Sequence, residues 1–172
     1  NIFLNVSELG IMAVGVAMVV ITGRIDLSIS STYCFTGVLI AMLMLEGVPA
    51  GAAIAAAFAC AAVVGLVNGI FIGYMNLQPV LVTIGTQTLV RGLCYIRSGS
   101  TTMMVKGISP AFEAFGSFRL FGVFPLSFLA MLLMLALLYV ALKRTRFGIM
   151  LLSIGNNPET TRLSGYNTKR SI

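Results

Sequence analysis

The chain has 172 residues, 58% hydrophobic and only 9% charged, with a net charge of +6 and a mean hydropathy of +1.01. Soluble domains carry about 25% charged residues, and a water-facing globule of this size has more surface than so few polar groups can cover. The composition therefore excludes such a globule and predicts an integral membrane protein.

Spanning helices need roughly 20 mainly apolar residues, and five stretches qualify in chain order. The first runs from Ile2 to Thr22 and the second, which is short enough to be tilted, broken or re-entrant, from Ser30 to Leu45. The third covers Ala50 to Tyr74, the fourth Pro79 to Tyr95 and the fifth Val123 to Leu142. Proline and glycine punctuate them in EGVPAG, MNLQPV and GSFRLFGVFP. Val48, Gln78 and Phe124 precede prolines and are expected to be boundaries. Arg97 to Phe121 is left as the one substantial loop. The predicted division is a transmembrane region over 1–142 and a cytoplasmic segment over 143–172. The polar, basic finish and the start at Asn1 suggest a piece of a longer protein.

Six of the eleven basic residues, Lys143, Arg144, Arg146, Arg162, Lys169 and Arg170, fall in the last thirty positions. Positive residues gather in cytoplasmic loops, so this end is placed inside, the Arg97 to Phe121 loop outside, Thr22 to Ile29 inside and Glu46 to Gly51 outside. Arg97, Lys106 and Arg119 oppose that assignment but are outnumbered. No nucleic-acid partner is expected, because the cations form no stripe with interleaved aromatics.

Between the first two spans, GRIDLSIS places Arg24 and Asp26 in an otherwise apolar stretch. An intramembrane ionisable residue is a functional candidate by default. Asp26 followed by Ser28, Ser30, Ser31 and Thr32 also reads as a helix start, where a carboxylate or hydroxyl accepts bonds from free N–H groups. In the third span, Gly65, Gly69 and Gly73 recur every four residues, a spacing that suits close helix packing, and Asn68 beside them is expected to hydrogen-bond a neighbouring helix. In the fourth, Thr83, Thr86 and Gln87 share a face that either lines a polar pathway or is satisfied by adjacent helices. Arg91 extends the same helix and needs a carboxylate or carbonyl partner.

Cys34, Cys60 and Cys94 lie singly in apolar runs and are read as small packing residues. No metal site is expected. Histidine is absent from the chain, which removes His-based catalysis and His–metal motifs. Phosphate-binding glycine loops are missing, and the five acids are too scattered for paired-carboxylate chemistry. In the tail, NNPET predicts a short helix with Asn157 as cap, Pro158 at its first position and Glu159 in its first turn, stopping at Gly165. So short a helix is marginal alone in water, which points to a protein that it docks against.

Three stretches, GRIDLSIS, QPVLVTIGTQTLVRGL and RTRFGIMLLSIGNNPETTRLSGYN, together resemble the permease subunit of bacterial ATP-binding cassette (ABC) importers for ribose and other simple sugars, the group that includes the autoinducer-2 importers. The resemblance covers essentially the whole chain. It implies an all-α, partial type II importer permease with about five transmembrane helices and a short cytoplasmic coupling helix, in the bacterial inner membrane. It further implies a permease dimer, homo- or heteromeric, surrounded by lipid, fed by a periplasmic or extracellular substrate-binding protein and driven by ABC ATPase subunits. ATP and magnesium would then be bound by those subunits, and this chain would hold no cofactor and catalyse nothing. By motif match, Gly155, Asn156, Asn157, Pro158, Glu159, Arg162, Leu163, Ser164 and Gly165 belong to the coupling segment; Thr83, Gly85, Thr86 and Arg91 belong to a helix near the pathway, and Asp26 to the motif after the first helix. Arg24, and Ser30 after it, depart from the usual glycines. The family's C-terminal half is expected to follow this chain. Two other classes compete: a secondary transporter with Asp26 as proton or sodium ligand, and a non-transporting membrane anchor.

Overall fold

Helices dominate the computed structural model, which describes residues 2–101, 103 and 109–165; Lys106, Lys169 and Arg170 lie outside the described residues. The chain divides into two units, 26–114 and 1–25 with 115–172.

In the unit 26–114, α2 (Ile29–Leu45) packs against both α3 (Ala50–Gly69) and α4 (Pro79–Ser98). Small residues bring α3 close, since Ala53 and Ala57 are among its buried positions. Gly47 ends α2 in the left-handed region, with its N–H on Met44 O and the Val48 N–H on Leu43 O, a Schellman closure that needs glycine at this position. Pro49 then immediately precedes α3 as its cap residue, and Pro79 takes the first position of α4. The expected boundaries at Val48 and Gln78 are both present.

A π turn, Ile70–Tyr74, continues α3 and interrupts the regular spacing of its glycines. Each π turn adds a residue, so Gly73 leaves the four-residue phase of Gly65 and Gly69. Gly65 itself is exposed and faces open space. Gly73 is buried, as are Ala53 and Ala57.

In the unit 1–25 with 115–172, α1 (Ile2–Ile21) packs along α6 (Leu126–Arg144). Gly10 admits the Met131 side chain. At one end Phe3, Phe124 and Phe128 cluster with ring centroids 5.1 to 5.6 Å apart. A small hairpin leads into α6, β1 (Arg119–Leu120) pairing antiparallel with β2 (Phe124–Pro125). The stretch read as a plain loop thus carries this hairpin and a further helix, α5 (Pro110–Ser117). Its short amphipathic run was too brief to register as a periodic pattern.

The C-terminal segment is also more structured than expected. After α6, α7 (Arg146–Asn156) folds back against α6 and α1, burying Gly148, Leu151 and Ile154, and α8 (Pro158–Leu163) packs on α7. The three buried residues recur every third position, the signal in FGIMLLSIGN that marks α7 as an amphipathic helix.

Among the described residues, four helical segments are long and apolar enough to cross a membrane: Ile2–Ile21, Ala50–Tyr74, Pro79–Ser98 and Leu126–Arg144. The fifth expected span, α2, has 17 residues, about 25 Å of helix against a hydrocarbon layer of about 30 Å.

Candidate functional site

Helix α1 stops through local chemistry. The Arg24 N–H reaches Val19 O at 3.4 Å and the Gly23 N–H reaches Val20 O at 2.9 Å, while Gly23 takes φ +77. This is again a Schellman stop with glycine at the left-handed position. Gly23 carries the strained backbone, and Arg24 is therefore free to be a bulky cation at negative φ.

Beyond it, Asp26 closes a turn rather than capping the first helical N–H groups. Its Oδ1 accepts from the Ser28 backbone N–H at 2.8 Å and from the Ser28 hydroxyl at 2.6 Å, an Asx turn that sets the entry into α2. The buried Ser28 Oγ also accepts from Asn68 Nδ2 at 3.0 Å, and Asn68 Oδ1 accepts from the Thr86 hydroxyl at 2.6 Å. Four side chains from the break, α3 and α4 thus form one chain of hydrogen bonds, each donor pointing towards the Asp26 carboxylate. Aligned bonds polarise one another and strengthen at low dielectric. Replacing Asp26 with alanine leaves the Ser28 N–H and the Ser28 hydroxyl proton without their acceptor, so the expected outcome is a loss of folded, membrane-inserted protein. Normal yield and thermal stability of the variant in detergent would contradict that expectation.

Ser28 sits beside Thr86, which lies about two turns into α4. The start of α2 is therefore level with the interior of α4 rather than with its end, and α2 is short because it begins partway along its neighbour. Above this point α2 and α4 border a cleft of about 380 Å³, lined by Ser30, Ser31, Cys34, Gln87, Arg91 and Tyr95 among others. Hydroxyl, amide, guanidinium and phenol groups converge here between apolar helices, which is how small-molecule sites achieve orientation and specificity.

The candidate pathway residues thus separate. Gln87 faces the cleft, Thr86 is committed to Asn68, and Thr83 is fully buried with its hydroxyl on Val80 O of its own helix. The sharing of a face by all three, expected from spacing, does not extend to a shared lining.

In the C-terminal segment, Thr145 Oγ1 accepts the Gly148 N–H at 3.2 Å and starts α7. Gly155 lets α7 meet the end of α1, where a Cβ would fall on the backbone carbonyl of Ile21. Asn157 Oδ1 accepts from the N–H groups of Glu159 and Thr160, both at 3.0 Å, the cap that NNPET predicts. Pro158 occupies the first position and Gly165, at φ +89, follows the end. Ser153, Asn156, Asn157, Thr160, Thr161 and Ser164 border a polar hollow of about 260 Å³. On the outer face Arg162 grips Glu159 with two bonds, Nη2 to Oε1 at 2.6 Å and Nε to Oε2 at 3.2 Å. That hydrogen bond holds the Glu159 carboxyl below its ordinary range and raises the guanidinium. The pairing is present above the ordinary carboxylate pKa and is lost as pH falls through the lowered value. Both groups are solvent-exposed, so the pair adds little stability. Leu163 is also exposed, at 77%, leaving an apolar side chain beside two charges on one surface.

A family model described as the permease component of the branched-chain amino acid transport system matches residues 1–172. The chain belongs to this permease family. Among curated relatives, a galactose/methyl galactoside import permease of Haemophilus influenzae is 33% identical over 100% of this chain and 56% of its own length. A ribose import permease of Escherichia coli is 32% identical over 99% of the chain and 53% of its length. An L-arabinose ABC transporter permease of Azospirillum brasilense is 29% identical over 99% of the chain and 49% of its length. The chain spans about half the length of these relatives. No solved structure matches it.

Within the permease family's fold, Asp26, Asn68 and Thr86 are thus joined in one network, Gln87 and Arg91 border the cleft, and 155–165 span the end of α7, α8 and the turn after it. The sequence singles out Asp26, Asn68 and Thr86 and gives Ser28 only among the hydroxyls of the helix start; that Ser28 joins Asp26 to Asn68 is seen only in the structure, because a serine between apolar residues carries no periodic signal. Cys34 and Cys94, read as packing residues, pack against each other at the cleft, with Sγ atoms 3.5 Å apart.

Proposed function

We propose that this chain is part of a transmembrane permease subunit of a bacterial ATP-binding cassette importer, taking a simple sugar or a related small polar solute. The observation that carries the reading is the polar cleft between α2 and α4, in a chain similar along its whole length to permeases named for galactose, ribose and arabinose. A sugar exposes hydroxyls on every side, and crossing an apolar layer leaves them unpaired unless protein groups replace the lost water. Ser30, Ser31, Gln87, Arg91 and Tyr95 supply such groups. A cleft that binds weakly suits passage, because a tight site would retain the solute.

The chain itself catalyses nothing in this reading. A separate ABC ATPase holds ATP and magnesium, a substrate-binding protein delivers the solute outside, and a second permease subunit completes the pathway in the inner membrane. The coupling surface is α7 and α8, with Glu159, Arg162 and Leu163 facing the ATPase. An ATPase shifts the permease between outward and inward access only through contacts that differ between the two states. Moving that balance from 1:99 to 99:1 takes about 5.5 kcal/mol of differential binding. The turn at Gly155 passes the resulting displacement of α7 to the end of α1.

The test is ATP-dependent uptake of radiolabelled ribose, galactose and arabinose by the full-length permease with its ATPase and binding protein. Glu159→Ala and Arg162→Ala are each expected to lower uptake at least about tenfold and to reduce co-purification of the ATPase, with the permease still in the membrane. Uptake that persists without any ATPase would refute the reading in favour of a secondary transporter.

A further inference from the structure

We propose that Cys34 and Cys94 form a reversible disulfide that ties α2 to α4 across the polar cleft, making the cleft a thiol-based redox site. Cys34 is exposed and Cys94 is buried, yet their sulfurs lie 3.5 Å apart although the residues are 60 positions apart in sequence. Closing to an S–S bond length of about 2.05 Å needs an approach of only about 1.5 Å. Both residues border the cleft, so a small oxidant that enters it meets Cys34 first. Cys60, the remaining cysteine, lies elsewhere on α3 and is no part of the cleft lining.

The oxidant is a peroxide, and the chemistry balances in two steps. The Cys34 sulfur attacks one peroxide oxygen, the O–O bond breaks, and Cys34 sulfenic acid and one water result. The Cys94 sulfur then attacks the sulfenic sulfur, the S–O bond breaks, and the departing hydroxide takes the Cys94 proton as a second water. Two thiols and hydrogen peroxide thus give one disulfide and two waters, with two electrons passing from sulfur to oxygen. A dithiol reverses the reaction by exchange.

The bond joins a helix whose start is set by the Asp26 network to the helix that carries Gln87 and Arg91. It narrows the cleft and prevents α2 from moving against α4. The thiol chemistry stands on the geometry alone, whereas its effect on uptake rests on the permease reading.

The experiment treats membranes containing the full-length permease with hydrogen peroxide, alkylates the remaining thiols, and analyses peptides by mass spectrometry before and after dithiothreitol. The expected result is one cross-linked peptide pair joining Cys34 to Cys94, two mass units below the sum of the reduced peptides, with Cys60 still alkylated and the link absent from Cys94→Ser. In the assembled transporter, peroxide is expected to lower wild-type uptake at least about fivefold, with recovery after dithiothreitol. Cys34→Ser and Cys94→Ser, each compared with its own untreated sample, are expected to resist that reversible loss. Cys34 oxidised to sulfinic acid with no cross-link, or a cross-link that leaves uptake unchanged, would overturn the proposal. Absence of uptake before treatment would instead count against the permease reading, and the peptide masses would still decide whether the disulfide forms.

Discussion

Gly155→Ala is expected to destabilise the protein strongly by forcing α7 away from α1. The new Cβ would overlap the Ile21 carbonyl oxygen and lie 3.1 Å from its carbon. Both are backbone atoms at the last turn of α1, so no flexible side chain can swing aside, and α7 must lift from α1. Overpacking typically costs about 1–3 kcal/mol, and a clash with backbone belongs at the upper end. The thermal midpoint of the detergent-solubilised permease should fall by several degrees. ATP-dependent uptake should fall further than the protein yield, because the contact links α1 to the proposed coupling surface. Gly15→Ala supplies the control: it lies within α1 with nothing near its added Cβ, and alanine there should be neutral or stabilising by about 0.5–1 kcal/mol. A Gly155→Ala protein that melts and transports like the wild type would show that α7 does not seat on α1 as described.

Asn68→Leu is the second large effect. Leucine matches asparagine closely enough in size to fill the site, but it offers neither the donor that Ser28 Oγ accepts nor the acceptor for the Thr86 hydroxyl. Interhelical hydrogen bonds in membranes average about 0.6 kcal/mol and reach about 1.7. Two bonds lost together, with polar groups left behind in a buried place, amount to about 1–3 kcal/mol. Thr86→Val removes a single bond and should cost less. The decisive measurement is a double-mutant cycle on thermal unfolding in detergent. If the two residues act through their shared bond, the double variant is less destabilised than the sum of the single variants by more than the roughly 0.3–0.5 kcal/mol within which independent sites add. Additive losses would mean that the Asn68–Thr86 bond does not contribute as drawn.

The permease architecture was legible in the sequence to different depths. Long apolar runs announced their own helices, since a segment surrounded by lipid must satisfy its backbone internally. The prolines at Pro49, Pro79 and Pro158 marked helix starts correctly, and Asn157 read as a cap because capping depends on neighbours two or three residues away. Asn68 read as a hydrogen-bonding group between helices, as the structure bears out. Helix α7 was less visible, because eleven residues with three buried positions give a weak periodic signal beside the basic cluster. The phase of the glycines of α3 was not legible, since a repeat of four implies a common face only while the helix stays regular, and the π turn after Gly69 shifts Gly73.

Sequence alone established that this protein lives in a membrane, where its long apolar helices roughly lie, and which polar residues had to find partners there. These are local matters of hydropathy, dihedral preference and capping, decided within a few neighbouring residues. Only the tertiary structure decided which partners those were. Asp26 reaches Thr86 through Ser28 and Asn68, Cys34 meets Cys94 across the cleft, and Gly155 is small because Ile21 lies against it. Each pairing joins residues far apart in the chain, and distance in space is set by how helices pack, which no short stretch of sequence contains.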